Sequence, residues 1–243
     1  MRIAIVTETF LPSVDGVVTR LRHAVEHARS DGHEVLVIAP DLGVTEHHGA
    51  RVLGMPLMTL PFYRQRPFAL PTRRVLRALR EFAPDVVHAA HPVLLASSGA
   101  FAARKLDLPL VASYHTHIPR YLDLYPAWRW STPLIWWQAR RNHALADVNL
   151  VTSEAMRTEL AAQGIDRLQV LRRGVDARAF HPRFADASMR ERLTGGRTER
   201  TLLVYVGRLA PEKQIRSLRP LLERRQDVAL AVIGDGPDRE RLE

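Results

Sequence analysis

Residues 201–214 read TLLVYVGRLAPEKQ, an apolar run followed by a short cationic segment. The apolar part, residues 202–206, has the length and β-branched content of a buried strand, and a glycine ends it. Pro211 suits the first turn of a helix, because the N–H that proline lacks has no partner there. The stretch therefore predicts a strand, a turn and a helix, with Arg208 and Lys213 beside the helix N-terminus, where an anion such as a diphosphate binds.

Lysine is rare in this chain. Of 35 lysines and arginines, only Lys105 and Lys213 are lysines, which leaves 33 arginines. Because the two side chains bind oxyanions differently, a lysine at position 213 favours a site-specific role in holding a phosphate. A solvated lysine at the start of a helix is the alternative.

The composition of the 243 residues limits the function. There is no cysteine, which excludes disulfides, thiolate metal sites and cysteine nucleophiles. The formal net charge of +9 indicates an acidic partner: nucleic acid, anionic lipid or a phosphorylated substrate. The first apolar run, residues 3–6, is too short for a signal peptide, and no run approaches the roughly 20 apolar residues of a membrane-spanning helix.

The chain opens with the same strand, turn and helix pattern. Residues 2–6 predict a buried strand, and the apolar positions of residues 17–28 recur with helical period. The turn between them has a single glycine, Gly16, and so lacks the G-x-G-x-x-G fingerprint of dinucleotide-binding folds. Gly16 can let a pyrophosphate approach the backbone, or it can be a plain turn glycine.

Strand and helix patterns then alternate along the chain. Residues 41–54 are expected to form a loop, and further strands are expected at residues 34–39, 85–89, 109–113, 148–152 and 168–171. Helices are expected at residues 93–106, 134–145 and 154–163. This alternation predicts parallel βαβ units, in which ligands bind at the carboxyl ends of the strands.

Two segments combine arginine with aromatic residues. Residues 61–80 hold six arginines, among them Arg64 and Arg66, and no acidic residue. All four tryptophans fall within ten residues, at positions Trp128, Trp130, Trp136 and Trp137. Because amphipathic rings and basic groups occur together at membrane interfaces, these residues predict contact with an anionic membrane or a lipid acceptor. A solvated helix face and core packing are the alternatives.

Two histidines follow the strand predicted at residues 109–113. His115 lies where ligands bind in a parallel sheet and can donate to a sugar hydroxyl or a phosphate oxygen. His117 is more typical of a structural histidine. No third ligand follows at a suitable spacing, so no metal is predicted here.

The chain is expected to hold two domains. Residues 174–200 lose periodicity and carry proline and glycine, after which the strand pattern restarts at residue 201 and again at residues 228–233. The prediction is an acceptor-side domain at 1–173, a linker at 174–200 and the start of a donor-binding domain at 201–243.

Five motifs resemble the family 4 glycosyltransferases: TETFLPSVDGVVT (7–19), SYHTHIPRY (113–121), RRGVDARAFHP (172–182), VGRLAPEK (206–213) and VIGDGP (232–237). Within the family the motifs are most similar to lipid glycosyltransferases, the diacylglycerol sulfoquinovosyltransferases and the GDP-mannose-dependent α-mannosyltransferases. The resemblance implies an α/β GT-B fold, with two Rossmann-like, doubly wound parallel sheets. It also implies sugar transfer with retention of anomeric configuration.

The same resemblance implies roles for individual residues. Gly16 would let the donor diphosphate approach the backbone, and His115 would hydrogen-bond the donor sugar or the reacting centre. Arg208 and Lys213 would hold the diphosphate.

Further implications concern the hinge and the partners. Gly174 and Asp176 would shape the hinge between the domains. The donor would be a UDP- or GDP-linked sugar, bound as substrate without cofactor or metal. The acceptor would be a diacylglycerol-type lipid, with the protein in the cytoplasm, peripheral to the inner face of an anionic membrane. Nucleic acid is not expected, since no helix-turn-helix, RRM or zinc pattern is present.

The sequence departs from the family at one point. Family members continue beyond VIGDGP through two glutamates seven residues apart that hold the donor, and these are absent here. The second sheet is therefore expected to be truncated and the chain to be inactive or impaired unless a missing C-terminal segment joins it. A non-catalytic remnant that binds a membrane or a partner and a nucleotide-sugar epimerase are the alternatives.

Overall fold

A computed structural model describes residues 1–58, 68–70, 72–122, 126–172 and 174–243. The chain divides into two compact units. The first unit comprises residues 1–122 and 127–173, and the second comprises residues 123–126 and 174–243.

The first unit is built on an eight-stranded sheet in the part of the chain that the structure describes. The strands of this sheet are β1 (Arg2–Thr7), β2 (Glu34–Pro40), β3 (Glu46–His47), β4 (Ala50–Met55), β7 (Val86–Ala90), β8 (Leu110–Tyr114), β9 (Val148–Val151) and β10 (Leu168–Val170). Two further strands, β5 (Leu57–Met58) and β6 (Phe68–Ala69), form a separate antiparallel pair. The order across the sheet is β10-β9-β8-β7-β1-β2-β4-β3. Neighbouring strands are parallel except β3, which is antiparallel to β4.

Helices cover both faces of this sheet. They are α1 (Gly16–Ser30), α2 (Arg73–Phe82), α3 (Leu95–Lys105), α4 (Ile118–Leu122), α5 (Thr132–Ala144) and α6 (Glu154–Ala162). Because side chains alternate along a strand, Val6 of β1 packs with α2 and α3, whereas Ile5 packs with α1. The doubly wound, parallel α/β class predicted from the sequence is confirmed for this unit.

A glycine sets the distance between α3 and the sheet. A Cβ atom built on Gly99 would lie 2.7 Å from the side chain of Val6, which is fully buried in β1. Such a separation is far below van der Waals contact, so only glycine fits. The close packing holds the middle of α3 against the carboxyl end of β1.

The expectation of a loop at residues 41–54 is wrong. The segment contains β3 and β4, and β4 pairs in parallel with β2, burying Val52 and Met55. The apolar residues of β4 are interrupted by Arg51 and Gly54, so they form no continuous run. The strand forms because pairing and burial beside β2 outweigh local propensity.

The second unit contains two parallel strands in the part that the structure describes. These are β11 (Thr201–Val206) and β12 (Val228–Ile233), with helices α7 (Ala187–Thr194), α8 (Arg219–Arg224) and α9 (Arg239–Leu242). Residues 174–200, expected to form a linker, thus contain a regular helix. α7 packs against both strands.

The helix expected to begin at Pro211 does not form. Residues Pro211–Lys213 make one 3-10 turn, which ends where Gln214 takes a left-handed conformation with φ of 51°. An α-helix begins only at Arg219, because Pro220 lacks an N–H and is accommodated in a first turn but not in a helix interior. Lys213 therefore lies in a short turn and not beside an α-helix N-terminus.

Candidate functional site

The carboxyl ends of three neighbouring strands meet at one edge of the first unit. β1, β7 and β8 are adjacent in the sheet and end at Thr7, Ala90 and Tyr114. His115 follows β8 directly, and Gly16 begins the helix that follows β1. The structure therefore brings the two predicted residues Gly16 and His115 to the same edge, where parallel sheets bind ligands.

The N-terminus of α1 is open to a ligand on one side. Gly16 is exposed, and a Cβ atom built on it meets no atom within 4 Å. The N-cap residue Asp15, however, accepts hydrogen bonds from the backbone N–H groups of Val17 (2.8 Å) and Val18 (2.9 Å). A diphosphate at this end of α1 would thus meet accessible backbone at Gly16. It would also meet the Asp15 carboxylate, which already accepts hydrogen bonds from two N–H groups of the helix.

A hydrogen-bond chain orients His115. The Ser113 hydroxyl lies 2.7 Å from Nε2 of His88 and 2.8 Å from Nε2 of His115, so it can donate to one imidazole and accept from the other. The backbone N–H of His115 donates to Nδ1 of His91 at 3.4 Å. Sequence reasoning missed Ser113 and His88, although their alternation on neighbouring strands is the pattern that places them on one face.

Burial keeps His88 neutral at physiological pH. Its desolvation, helped by the nearby Arg20 guanidinium, lowers the pKa of His88 to about 4. A neutral imidazole can hold the Ser113 hydroxyl without placing a positive charge behind His115.

We expect His88 to make the first unit acid-sensitive. A histidine in the unfolded chain titrates near pH 6.5, so the unfolded state binds a proton before the folded state does as pH falls. The free energy of unfolding should therefore decrease between about pH 6.5 and 4, by at most about 3 kcal/mol from this residue. Urea unfolding at several pH values, compared between the natural chain and His88→Gln, measures this. If the free energy of unfolding changed equally with pH in the two proteins, His88 would not be the source of the acid sensitivity.

Glu8 directly follows β1 at the same edge of the sheet, and its role was not predicted from the sequence. Its carboxylate accepts hydrogen bonds from the backbone N–H groups at the start of α3: Val93 (3.0 Å), Leu94 (2.7 Å), Leu95 (3.1 Å) and Ala96 (3.0 Å). Burial raises the pKa of Glu8, and the four donors oppose that rise. The N-terminus of α3 is thereby occupied by a carboxylate of the protein itself.

A small cavity lies beside His115 in the first unit. It has a volume of about 30 Å³ and is lined by His91, Tyr114, Thr116, Gln138 and His143 together with apolar neighbours. This volume accommodates a water molecule.

His117 takes part in internal packing. Its Nδ1 accepts a hydrogen bond from the backbone N–H of Arg120 at 3.1 Å, and its Nε2 lies 2.6 Å from Oε1 of Glu159. Its ring also contacts that of Trp136 edge to face. Both ring nitrogens are engaged, which agrees with a structural role.

The four tryptophans do not share one environment. Trp130 is 72% exposed, Trp137 51% and Trp128 39%, whereas Trp136 packs inward against the cluster around Tyr114. Arg141 lies over the ring of Trp137, 5.4 Å from its centroid. Arg64 and Arg66, the other residues predicted to contact a membrane, lie outside the described residues. No helix in the described ranges is long and apolar enough to cross a membrane.

Arg208 and Lys213 lie at the carboxyl end of β11 in the second unit, and both are exposed. The turn after β12 packs directly on this segment: the backbone N–H of Leu209 donates to the carbonyl of Asp235 at 2.9 Å. A Cβ atom on Gly236 would lie only 2.1 Å from the Leu209 carbonyl oxygen, so glycine is required there. The VGRLAPEK and VIGDGP motifs thus pack against each other through backbone contacts.

Gly174 and Asp176 lie at the start of the second unit. The Asp176 carboxylate accepts hydrogen bonds from the backbone N–H groups of Arg178 (2.9 Å) and Ala179 (3.1 Å), which closes a local turn. A Cβ atom on Gly174 meets no atom within 4 Å. The hinge role of both residues stays a prediction.

Comparison with known proteins gives consistent similarities. Residues 14–179 match the family model described as Glycosyltransferase Family 4. The chain is 41% identical to a GDP-mannose-dependent alpha-mannosyltransferase of Mycobacterium tuberculosis, covering all of this chain and 65% of that protein. It is 35% identical to a sulfoquinovosyl transferase of Arabidopsis thaliana, covering 95% of this chain and 46% of the relative. An alpha-monoglucosyldiacylglycerol synthase of Streptococcus pneumoniae is 25% identical, with 98% and 56% covered.

Solved structures share the fold at low sequence identity. The sucrose-phosphate synthase of Thermosynechococcus elongatus has a TM-score of 0.66 at 14% identity, covering 96% of this chain and 61% of that one. A glycosyltransferase of Rickettsia africae has a TM-score of 0.56, also at 14% identity, covering 99% and 69%. The chain therefore spans between about half and two thirds of the length of the proteins that it resembles.

Proposed function

The chain belongs to glycosyltransferase family 4, and from this premise we propose that it transfers a sugar from a nucleotide-sugar donor to a lipid acceptor at a membrane surface. The observation that carries the proposal is the placement of Gly16 and the oriented His115 at one carboxyl edge of the sheet. In the proposal, transfer retains the anomeric configuration and uses no metal or other cofactor.

The donor side of the proposal follows from charge. Transfer breaks the bond between the sugar and the diphosphate, so negative charge develops on the leaving group. Fixed cations and hydrogen-bond donors stabilise such charge best where it appears. Arg208 and Lys213, both exposed at the carboxyl end of β11, supply the cations in this proposal. His115 donates a hydrogen bond to the sugar or to a phosphate oxygen. The name of the mannosyltransferase relative supports a GDP-linked donor, and a UDP-linked sugar is the other candidate.

The acceptor side rests on the Trp–Arg surface, which we define as Trp128, Trp130, Trp137, Arg129, Arg140 and Arg141. Core packing does not explain side chains that are 39% to 72% exposed. Exposed indole rings beside guanidinium groups suit the boundary between lipid headgroups and acyl chains. The net charge of +9 favours an anionic membrane, on the order of 1 kcal/mol for each basic residue near the headgroups. The relative named for monoglucosyldiacylglycerol supports a diacylglycerol-type lipid.

A single assay separates the alternatives. The protein that contains this chain is incubated with isotope-labelled GDP-mannose or UDP-glucose and vesicles of diacylglycerol in anionic phospholipid, and the lipid phase is extracted. We expect label in a glycolipid, with less product when the phospholipid is neutral. Isomerised donor without glycolipid would indicate the epimerase alternative. Vesicle binding without turnover would indicate a non-catalytic protein. If the protein showed no turnover and also did not bind the vesicles, a lipid acceptor would be excluded.

A further inference from the structure

Three side chains of types that bind metal ions lie close together on the first unit, away from the candidate transfer site. Glu26 of α1 faces the turn between β3 and β4. Its Oε1 atom lies 3.2 Å from Nε2 of His47 and 3.5 Å from Nε2 of His48. The three ligand atoms all lie within 4.8 Å of one another.

These separations match those of a zinc site. Zinc binds histidine nitrogen and carboxylate oxygen at about 2.0–2.2 Å in tetrahedral geometry, which places neighbouring ligand atoms about 3.4 Å apart. The 3.2 and 3.5 Å distances lie on either side of that value. Two of the three separations therefore suit the ion, and the third, between the two imidazole nitrogens, is at most 4.8 Å.

A neighbouring residue holds the carboxylate in place. Nδ1 of His23 lies 3.0 Å from the other oxygen of Glu26, so Oε1 is the atom left to face the two imidazoles. Hydrogen bonds to ligating carboxylates are a regular feature of metal sites, because they fix the orientation of the ligand.

The backbone at His48 is unusual. His47 pairs with Ala50, so His48 and Gly49 form a two-residue hairpin turn, and both have positive φ, 48° and 74°. This is the pattern of a type I′ turn, in which asparagine or aspartate precedes glycine most often. A histidine at the first position is less favourable for the turn. It does bring the His48 ring to 4.7 Å from that of His47, centroid to centroid.

One group competes with a metal ion. Nε of Arg22 lies 3.5 Å from the same Glu26 oxygen. The Arg22 side chain is 42% exposed and can turn toward solvent when a cation binds. An ion pair of this exposure contributes at most about 1 kcal/mol, so displacing it costs little compared with forming metal–ligand bonds.

We propose that Glu26, His47 and His48 bind a zinc ion that links the β3–β4 turn to α1. Glu26 is ten residues after Gly16 on α1, which corresponds to about 15 Å along the helix. The site therefore lies toward the amino ends of the parallel strands, opposite the edge that holds His115. It stabilises the β2–β4 side of the sheet and takes no part in sugar transfer.

Zinc titration of the metal-free chain by calorimetry tests the proposal. We expect one equivalent of zinc to bind with a dissociation constant in the micromolar range or below, and magnesium not to compete. His48→Asn is the decisive variant, because asparagine suits the turn while it removes a ligand. We expect this variant to weaken zinc binding about 100-fold and to keep the melting temperature of the metal-free protein.

Two further variants control the result. His27→Gln changes a histidine on the same helix that is not in the cluster, and it should bind zinc as the natural chain does. Arg22→Gln removes the competing cation and should bind zinc at least as tightly. Zinc binding that is unchanged in His48→Asn, or absent from the natural chain below about 100 μM, would overturn the proposal. Loss of binding in His27→Gln would overturn the choice of ligands.

Discussion

Replacing His115 by alanine is expected to lower kcat for sugar transfer by about 10²- to 10³-fold, the usual loss when one oriented donor to a developing charge is removed. The fold should not change, because the imidazole lies at the open edge of the sheet and is only partly buried. The measurement is the initial rate of glycolipid formation at saturating donor, with urea unfolding as the check on stability.

Two companion variants show whether His115 acts directly. Ser113→Ala removes the hydroxyl that bridges His88 and His115, so it should lower kcat less than His115→Ala and leave KM for the donor nearly unchanged. His27→Ala, a histidine at the far end of α1, should have no effect on either constant. A natural kcat in His115→Ala would defeat the assignment of this residue. An equal loss in His27→Ala would show that the loss is not specific to the site.

The sequence predicted the fold wherever the local pattern and the tertiary structure agree. β1, β2, β7 and β8 each contain a short apolar run, and their alternation with helices is enough to predict a parallel sheet. Together with the family motifs, this predicts the α/β, GT-B fold class, which the structure and the similar solved structures confirm.

Predictions failed where long-range contacts decide. β4 forms because β2 lies beside it. The short turn at Pro211–Lys213 has a local cause instead, since Gln214 takes a left-handed conformation that ends it. Helical spacing separates the inward-facing from the exposed tryptophan of α5. Trp136 shares the inward face with Ala139 and His143. Trp137 lies on the outward face with Leu134. Residue type alone does not make that distinction.

The clearest limit of sequence reasoning is Glu8. Its four hydrogen-bond donors lie 85 to 88 residues further along the chain, so no local pattern reveals them. α3 has an N-cap residue, Leu94, that offers no side-chain cap of its own. A helix that begins without a capping residue is itself a signal that a distant side chain satisfies its N–H groups.

We expect Glu8→Ala to lower the free energy of unfolding by about 3 kcal/mol. Each buried N–H group left without a partner costs about 1–3 kcal/mol, and water entering the vacated space offsets part of the sum over four groups. Glu8→Gln keeps one acceptor oxygen but turns an NH₂ group toward backbone donors, so it should cost about 2 kcal/mol. Urea unfolding at neutral pH measures both changes, provided that the dependence of the free energy of unfolding on urea concentration is the same in all variants.

Asp15→Ala is the matched control, because Asp15 caps the neighbouring helix α1 with two hydrogen bonds near the surface. Its loss should cost about 1 kcal/mol, the usual value for an N-cap. A cost for Glu8→Ala no larger than that for Asp15→Ala would show that the start of α3 finds other partners. The change at Glu8 should also disturb the proposed site. The segment that Glu8 holds begins two residues after His91, whose Nδ1 accepts the backbone hydrogen bond of His115. Glu8→Gln should therefore lower kcat even under conditions in which the protein remains folded.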